Sequence, residues 1–338
     1  MRAAVFRSSF DLALGEALRE PPGPGEVEVR VAAAGLCAGD LYIYLGKNPY
    51  VTYPRIGGHE IAGTVAALGP GVAGVALGER VVVDPFIGCG RCYACRVGKR
   101  NCCAKLSIVG VHRDGGFAEW VRAPAANLHR IPEGVSGFAA SFAEPVAIGV
   151  QACRRGEIAR GDRVLVLGAG PIGLAVLEVA RAYGAEVFIT DIAPGRLETA
   201  RDLGGLPLPA ETLAAEVARL TDGEGMPAVI EATGVASVME STIDLVASGG
   251  RIVIVGLVAK GVEVRLPGLD LTRKEVTLHG SRASVDCFPE ALRLIASGAI
   301  RYPEIATPFP LRDAPKVFAQ LAEKPDTYHK AVFVAEAV

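Results

Sequence analysis

Along the first 150 positions, apolar residues recur in short period-two runs: MRAAVF, EVEVRVAAA, HEIAGTVAALG and RVVVD, with Gly/Pro turns between them. That pattern predicts an antiparallel, barrel-like β domain over residues 1–150. From 151 onward the period changes. RVLVL (163–167), EVFITD (186–191), PAVIEAT (227–233) and RIVIVG (251–256) are continuous apolar runs, as expected of strands buried on both faces. Between them lie stretches of helical period, LAVLEVARAYG, GRLETARDLG, ETLAAEVARLT and SVMESTIDLVAS. The alternation predicts parallel β-α-β units and a doubly wound sheet over 151–287. Residues 288–338 add two helices, in CFPEALRLIASG and APKVFAQLAEK, and a closing strand, KAVFVAE. The fold class is α/β with two domains.

Composition narrows this further. The 338 residues suit two domains of roughly 100–200 residues each. With 50% hydrophobic residues, 41 Gly and only 6% aromatics, Val/Ala/Gly-built sheets fit better than a helical bundle. The formal net charge is −2 and no long run of like charge occurs. A nucleic-acid or anionic-membrane partner would ask for a concentrated basic surface, so neither is expected. No apolar run approaches the ~20 residues of a membrane span, and the N-terminus lacks the pattern of a signal peptide. Five of the eight cysteines crowd into positions 89–103. In a long chain without a leader this reads as metal chelation in a reducing cytoplasm, not as a disulfide framework.

Within a lobe at about 86–105, Cys89, Cys92 and Cys95 recur every third residue and Cys103 follows. Four thiolates so spaced can close a tetrahedron around one structural Zn²⁺. Cys102 is adjacent, and spacing alone leaves either Cys102 or Cys103 as the fourth ligand. Arg91, Arg96, Lys99 and Arg100 make the lobe basic; without a set of interleaved aromatics, Tyr93 standing by itself among them, it reads as a solvated or subunit-facing surface.

Gly168, Gly170 and Gly173 form G-x-G-x-x-G, with Pro171 and Ile172 between them, directly after an apolar strand and at a helix start. The first glycine permits the turn, the second lets backbone approach a pyrophosphate, and the third allows helix and strand to pack closely. Asp191 ends the next strand, about 20 residues on. Its carboxylate suits the ribose hydroxyls of NAD and would repel a 2′-phosphate. Arg196, five residues later, flanks the adenine or lies in solvent. A second set of metal-ligand types is sparser: Cys37 after a strand, His59 and Glu60 before one, and Glu144 at the approach to the second domain. Three such residues with one open position would make a catalytic zinc site. Singly, each also reads as a buried thiol, a hydrogen-bonded imidazole or a helix-start carboxylate.

Taken together, the G-H-E at 58–60, the four-cysteine loop, Glu144-Pro145, GAGPIG and Asp191 resemble the zinc-dependent medium-chain dehydrogenase family, over essentially the whole chain. Glu144-Pro145 followed by AIGVQACRRG is similar to the sorbitol dehydrogenase branch, and NCCAKLSIVGVHRDGGFAEW (101–120) to bacterial sugar-acid enzymes of the L-galactonate 5-dehydrogenase type. The resemblance implies a GroES-like catalytic domain completed by residues 288–338, an inserted Rossmann domain, two Zn²⁺ per subunit and NAD. It implies hydride transfer from a secondary alcohol of a polyol or sugar acid, and a homodimer or homotetramer. It casts Cys37, His59 and Glu144 as catalytic zinc ligands, and Cys103 as the fourth structural ligand. Glu60 becomes a carboxylate that binds the ion directly, through water, or transiently. Thr233-Gly234, Val255-Gly256-Leu257 and Ser281-Arg282 fall where backbone passes the nicotinamide half.

Two positions depart from the pattern. Gly39 stands where relatives carry a hydroxyl that relays the substrate proton, and Tyr42 where some carry a histidine. Tyr42, Tyr44 or an ordered water is left to fill that role. His112, Arg113 and Asp114 offer themselves to a substrate carboxylate, Arg113 through bidentate pairing, or as charges on a surface turn. A threonine-type or general alcohol dehydrogenase is the alternative reading within the fold, and a non-catalytic zinc-and-nucleotide module the alternative outside it.

Overall fold

The computed structural model describes residues 1–335, so the last three positions of the 288–338 segment lie outside the described residues. The chain divides into two compact units. One comprises Met1–Glu144 and the residues from Pro303 on; the other is Pro145–Tyr302. These divisions differ from breaks at 150 and 287. Helix Phe288–Ala296 groups with the second unit, because the hydrophobic period that reveals a helix does not say which core its apolar face enters.

The first unit is built from the alternating runs. Strands Arg2–Ser8, Glu26–Gly35, Glu60–Leu68 and Arg80–Val83 coincide with the four period-two segments. A seven-stranded sheet is centred on Glu26–Gly35, which pairs antiparallel with Glu60–Leu68, with Trp120–Pro124 and with Ala331–Val334. Strand Thr307–Pro310, not anticipated because of its two prolines, joins parallel to Ala331–Val334 at the sheet edge, where a missing N–H is tolerated. The core gathers Phe6, Phe117, Phe318 and Phe333, whose rings meet at centroid distances of 5.1–6.2 Å. Phe318 comes from helix Ala314–Glu323, so the C-terminal segment supplies part of this core.

The second unit is a six-stranded parallel sheet in the order 206–209, 186–191, 163–167, 226–231, 246–254, 277–280. Numbered along the chain this is 3-2-1-4-5-6, the Rossmann order, whose switch point lies between the first and fourth strands. The central strands Arg163–Leu167 and Met226–Glu231 are almost wholly buried, which explains their unbroken apolar character. The two edge strands, Leu206–Pro209 and Thr277–Gly280, escape a hydrophobic reading. One alternates Leu with Pro and the other is half polar, as edges exposed to water permit. No helix among the described residues is long and apolar enough to cross a membrane.

Helix Pro171–Ala182 carries one buried acid, Glu178, whose carboxylate accepts the backbone N–H groups of Arg301 at 2.7 Å and Tyr302 at 2.9 Å. Burial raises its pKa from 4.5 to about 7 against the opposing pull of those amides and of Arg301. Between these two values the folded protein holds a proton that the unfolded chain has released. The stability contributed by this group is therefore full below pH ~4.5 and falls as pH rises through ~7. Glu178→Gln is expected to flatten that fall. Denaturant midpoints of both proteins at about pH 5 and pH 8 check it; parallel changes in the two would refute it.

Candidate functional site

In the cysteine lobe, the Sγ atoms of Cys89, Cys92, Cys95 and Cys103 all lie within 4.8 Å of one another. Cys92 Sγ is 3.5 Å from Cys95 Sγ and 3.8 Å from Cys103 Sγ. Tetrahedral Zn–S bonds of ~2.3 Å give an S···S edge of about 3.8 Å, so the spacing fits the ion. Cys102 is exposed and outside the group; the turn Arg100–Cys102 directs Cys103 inward, where it is buried. Backbone N–H groups of Cys89 and Lys105 point at Cys103 Sγ, at 3.2 and 3.3 Å. Backbone donors of Cys95 and Ala104 bring the Cys92 thiol down to about 6, while burial and the neighbouring sulfurs push Cys95 up to about 11. One thiolate forms readily and its neighbours resist joining it; a divalent cation removes that resistance.

The second group is assembled by two loops. Strand Glu26–Gly35 ends just before Cys37, which caps helix Ala38–Tyr44. Strand Glu60–Leu68 begins just after His59. Fully buried Asp40 ties the loops together: its carboxylate accepts the N–H of Cys37 and the N–H of Gly58, each at 3.0 Å, and stands 3.6 Å from His59 Nδ1. Gly35 faces Glu60 across the ladder, and a Cβ on it would collide with the Glu60 carboxylate. Lys330 Nζ donates to Glu60 Oε1 at 2.5 Å, both side chains being 2% exposed.

The ligand atoms of Cys37, His59 and Glu60 lie within 4.8 Å of one another. Glu144, in the first turn of helix Ala143–Arg155, is buried in the same neighbourhood but stands outside that group. Burial raises its pKa to about 7; His59 and Lys330 pull it down, Glu60 and Asp84 push it up. Burial disfavours a charged His59, yet Asp40 and Cys37 outweigh that and hold its pKa well above the usual imidazole value. Buried Asp40, Glu60 and Glu144 and the half-buried Cys37 thus share one region with a buried amine, Lys330. A thiol, an imidazole and a carboxylate around a cation-deficient centre fit zinc.

Sequence reading missed Asp40 and Lys330. Asp40 had a signal, since an acid three residues after a helix N-cap forms a capping box with Cys37. Lys330 had none, being 270 residues from its partner. Of the relay candidates, Tyr44 is buried between the Phe10 and Phe318 rings, whereas Tyr42 is 54% exposed. A side chain at Gly39 would meet His59 and Cys37 at 3.8–4.0 Å, so the position flanks the cluster with room to spare. His112, Arg113 and Asp114 are engaged elsewhere: His112 Nδ1 accepts the N–H of Ile108, Arg113 pairs with Glu26, and Asp114 pairs with Arg55.

In the second unit the candidate nucleotide residues gather at the carboxyl ends of the parallel strands. Gly168 follows strand Arg163–Leu167 with φ +101, and a Cβ on Gly173 would strike the Gly168 carbonyl. Gly170 caps helix Pro171–Ala182, with Pro171 and Ile172 in its first turn. Asp191 accepts the N–H groups of Ala169 (2.8 Å) and Ala193 (2.9 Å), which aims it across the glycine loop. Arg196, partly exposed, reaches back to Asp191 at 3.4 Å. Thr233 and Gly234 follow strand Met226–Glu231, Val255 to Leu257 follow Val246–Ile254, and Ser281 and Arg282 follow Thr277–Gly280. Glu231, overlooked in the sequence, is fully buried and accepts the N–H groups of Thr233 (2.6 Å) and Gly234 (3.0 Å) and the Thr233 hydroxyl.

Residues 23–133 match the alcohol dehydrogenase GroES-like domain and residues 171–297 the zinc-binding dehydrogenase domain. The chain belongs to the zinc-dependent medium-chain alcohol dehydrogenase family. It is 40% identical over 289 residues to L-galactonate-5-dehydrogenase of Escherichia coli (strain K12), covering 83% of this chain and 84% of that one. It is 35% identical over 295 residues to L-threonine 3-dehydrogenase of Pyrococcus horikoshii, covering 85% and 84%. Among solved structures, alcohol dehydrogenase RspB of E. coli CFT073 complexed with NADH superposes with a TM-score of 0.92 at 32% identity, over 99% of both chains. The protein is thus a zinc-type, NAD-linked dehydrogenase with a GroES-like and a Rossmann unit.

Asp40→Ala is expected to reduce bound zinc from two ions per chain toward one, because both ligand loops lose their shared acceptor. Elemental analysis of the dialysed protein checks this; two retained ions would refute it. Glu231→Ala removes the one oxygen that accepts all three donors, and the Thr233 turn should loosen. NADH affinity, followed by fluorescence titration, is expected to fall by about tenfold, with the melting temperature little changed.

Proposed function

We propose that the protein oxidises a secondary alcohol of a polyol or sugar acid, of the L-galactonate type, transferring hydride to NAD⁺. The observation that carries this reading is the Cys37–His59–Glu60 group with Glu144 beside it, in a chain whose other unit bears the nucleotide crevice. The 40% identity to an L-galactonate-5-dehydrogenase supports the substrate class. Cys37, His59 and Glu144 would hold the catalytic ion, with Glu60 direct or intermittent; Cys89, Cys92, Cys95 and Cys103 would hold the structural one. Bound there, zinc supplies Lewis acidity to a substrate hydroxyl, and NAD⁺ supplies the hydride acceptor.

The chain's own residues do the rest. Asp40 orients His59 and the Cys37 loop, as outer-shell carboxylates do for metal-ligating histidines. Lys330 holds one oxygen of Glu60, and the missing Cβ of Gly35 leaves room for the other. With Gly39 bearing no hydroxyl, the proton leaves through Tyr42 or water. In the second unit, Gly168, Gly170 and Gly173 cradle the pyrophosphate, Asp191 and Arg196 receive the adenosine ribose, and Thr233, Val255 to Leu257, Ser281 and Arg282 border the nicotinamide half. Residues 1–144 and 303 onward then form the catalytic domain, and 145–302 the NAD domain. Eight free cysteines suit a reducing cytoplasm, and the exposed edge Thr277–Gly280 suits pairing in a homodimer or homotetramer.

L-threonine is the competing substrate, favoured by the 35% identity to L-threonine 3-dehydrogenase. A panel of hexonates, polyols, L-threonine and simple alcohols with NAD⁺, read by NADH absorbance with and without a chelator, separates the readings. L-galactonate or a close relative is expected to give the highest kcat/KM. Cys37→Ser and His59→Ala are expected to lower kcat by at least about a thousandfold while circular dichroism stays native. Near-normal rates in either variant would overturn the site; L-threonine as the preferred substrate would overturn the substrate class alone.

A further inference from the structure

The first unit contains a cleft of about 380 Å³ whose lining includes none of the metal-site residues. Four guanidinium groups converge on it from separate segments, Arg19, Arg55, Arg113 and Arg122, beside Trp120 and the amino-terminal Met1. The HRD turn singled out in the sequence therefore contributes its arginine here. Each guanidinium is fixed by an acid. Arg19 is held at two nitrogens by Glu28 (2.8 and 2.6 Å) and lies 4.1 Å over the Trp120 ring. Arg55 donates to Asp114 at 2.9 Å, Arg113 to Glu26, and Arg122 to Glu20 at 2.7 Å.

Those partners differ in a way that matters. Glu28 and Glu26 are 4% and 18% exposed and act as buried anchors, whereas Asp114 and Glu20 are 59% and 51% exposed at the mouth. Exposed pairs of this kind contribute little and exchange readily with solvent ions. Four arginines and the α-amino group set five positive charges against five acids, Glu119 interacting with the amino group, so the cleft is balanced only while every acid keeps its partner. Asp114 is also held by the Ile56 N–H at 3.2 Å, so Glu20 turns to water the more freely; the cleft then carries a positive surplus while Glu28 and Glu26 still hold Arg19 and Arg113 in place. Arg55, Arg113 and Arg122 each use one nitrogen in these bonds, and a guanidinium has five N–H donors. Several guanidiniums approaching from different directions match a tetrahedral anion with three or four acceptor oxygens better than a planar carboxylate, which one bidentate arginine satisfies.

We propose that this cleft is a second ligand site, binding a small phosphate-bearing anion apart from the reaction centre. Trp120 is the chain's single tryptophan, so its fluorescence reports the cleft directly. The full-length protein is titrated with inorganic phosphate and with pyrophosphate at constant ionic strength, chloride serving as the control, and calorimetry follows in parallel. A saturable change in Trp120 emission is expected, weakened at least about tenfold in Arg122→Gln and strengthened in Glu20→Ala, which removes the competing carboxylate. Both substitutions are at exposed side chains, and circular dichroism confirms that the variants fold. Overturning outcomes are an equal response to chloride, no saturable signal in either measurement, or Arg122→Gln and wild type titrating alike. The last also covers pyrophosphate bound only at the glycine loop, which Arg122 does not touch.

Discussion

Everything in the catalytic unit is organised around negative charge taken out of water. Cys37, Asp40, Glu60 and Glu144 are brought together with a buried amine, Lys330. Left alone, such a region is among the costliest things a fold can contain, since burying an ionised carboxylate without a partner exceeds what packing returns. Asp40 and Cys37 raise the proton affinity of His59 against its burial, and burial raises that of Glu144. A divalent cation would offset that charge, so metal binding and the stability of this core are thermodynamically coupled. The same logic operates on a smaller scale in the cysteine lobe, where amide donors favour one thiolate and the sulfurs oppose further ionisation.

The surrounding architecture supplies rigid points from which those groups project. Both loops bearing the ligands are anchored by neighbouring strands of one sheet, Glu26–Gly35 and Glu60–Leu68, and Asp40 binds them to each other with two backbone hydrogen bonds. The chain's far end returns as strand Ala331–Val334, and this return delivers Lys330 to Glu60. In the nucleotide unit the equivalent device is Glu231, a buried carboxylate that shapes the Thr233–Gly234 turn beside the glycine loop at the sheet's switch point. Buried acids thus serve as internal braces in both units, one bracing metal ligands and one bracing backbone.

Where a residue's role depends on its immediate neighbours in the chain, the sequence was readable. The cysteine triplet, the glycine loop and Asp191 form within short segments, because a metal loop and a strand–turn–helix are local structures. Gly173 shows why the spelling is so constrained: only a missing Cβ lets the helix start pass the Gly168 carbonyl. Cys103 was separable from Cys102 only by resemblance, since adjacent residues share every spacing; the turn at Arg100–Cys102 is what points one in and the other out. For Arg196 the sequence offers an adenine flank or solvent, and the structure adds a contact with Asp191. The edge strands Leu206–Pro209 and Thr277–Gly280 were invisible because edges tolerate proline and polar residues that a hydrophobic pattern treats as loop.

The amino-acid order by itself determined the class of fold, the family, the four-cysteine lobe and the dinucleotide loop, all of which rest on periodicity or on ligands a few residues apart. Tertiary structure decided what those signals could not reach. It placed Glu60 with Cys37 and His59 and left Glu144 just outside, joined Lys330 to Glu60 across 270 residues, and turned Arg113 toward an arginine-lined cleft with Glu26 as its partner. The reason is physical. Local motifs are limited by the reach of a few peptide units, whereas a buried charge is satisfied by whatever group the packed chain brings near it, and that neighbour carries no fixed distance in sequence.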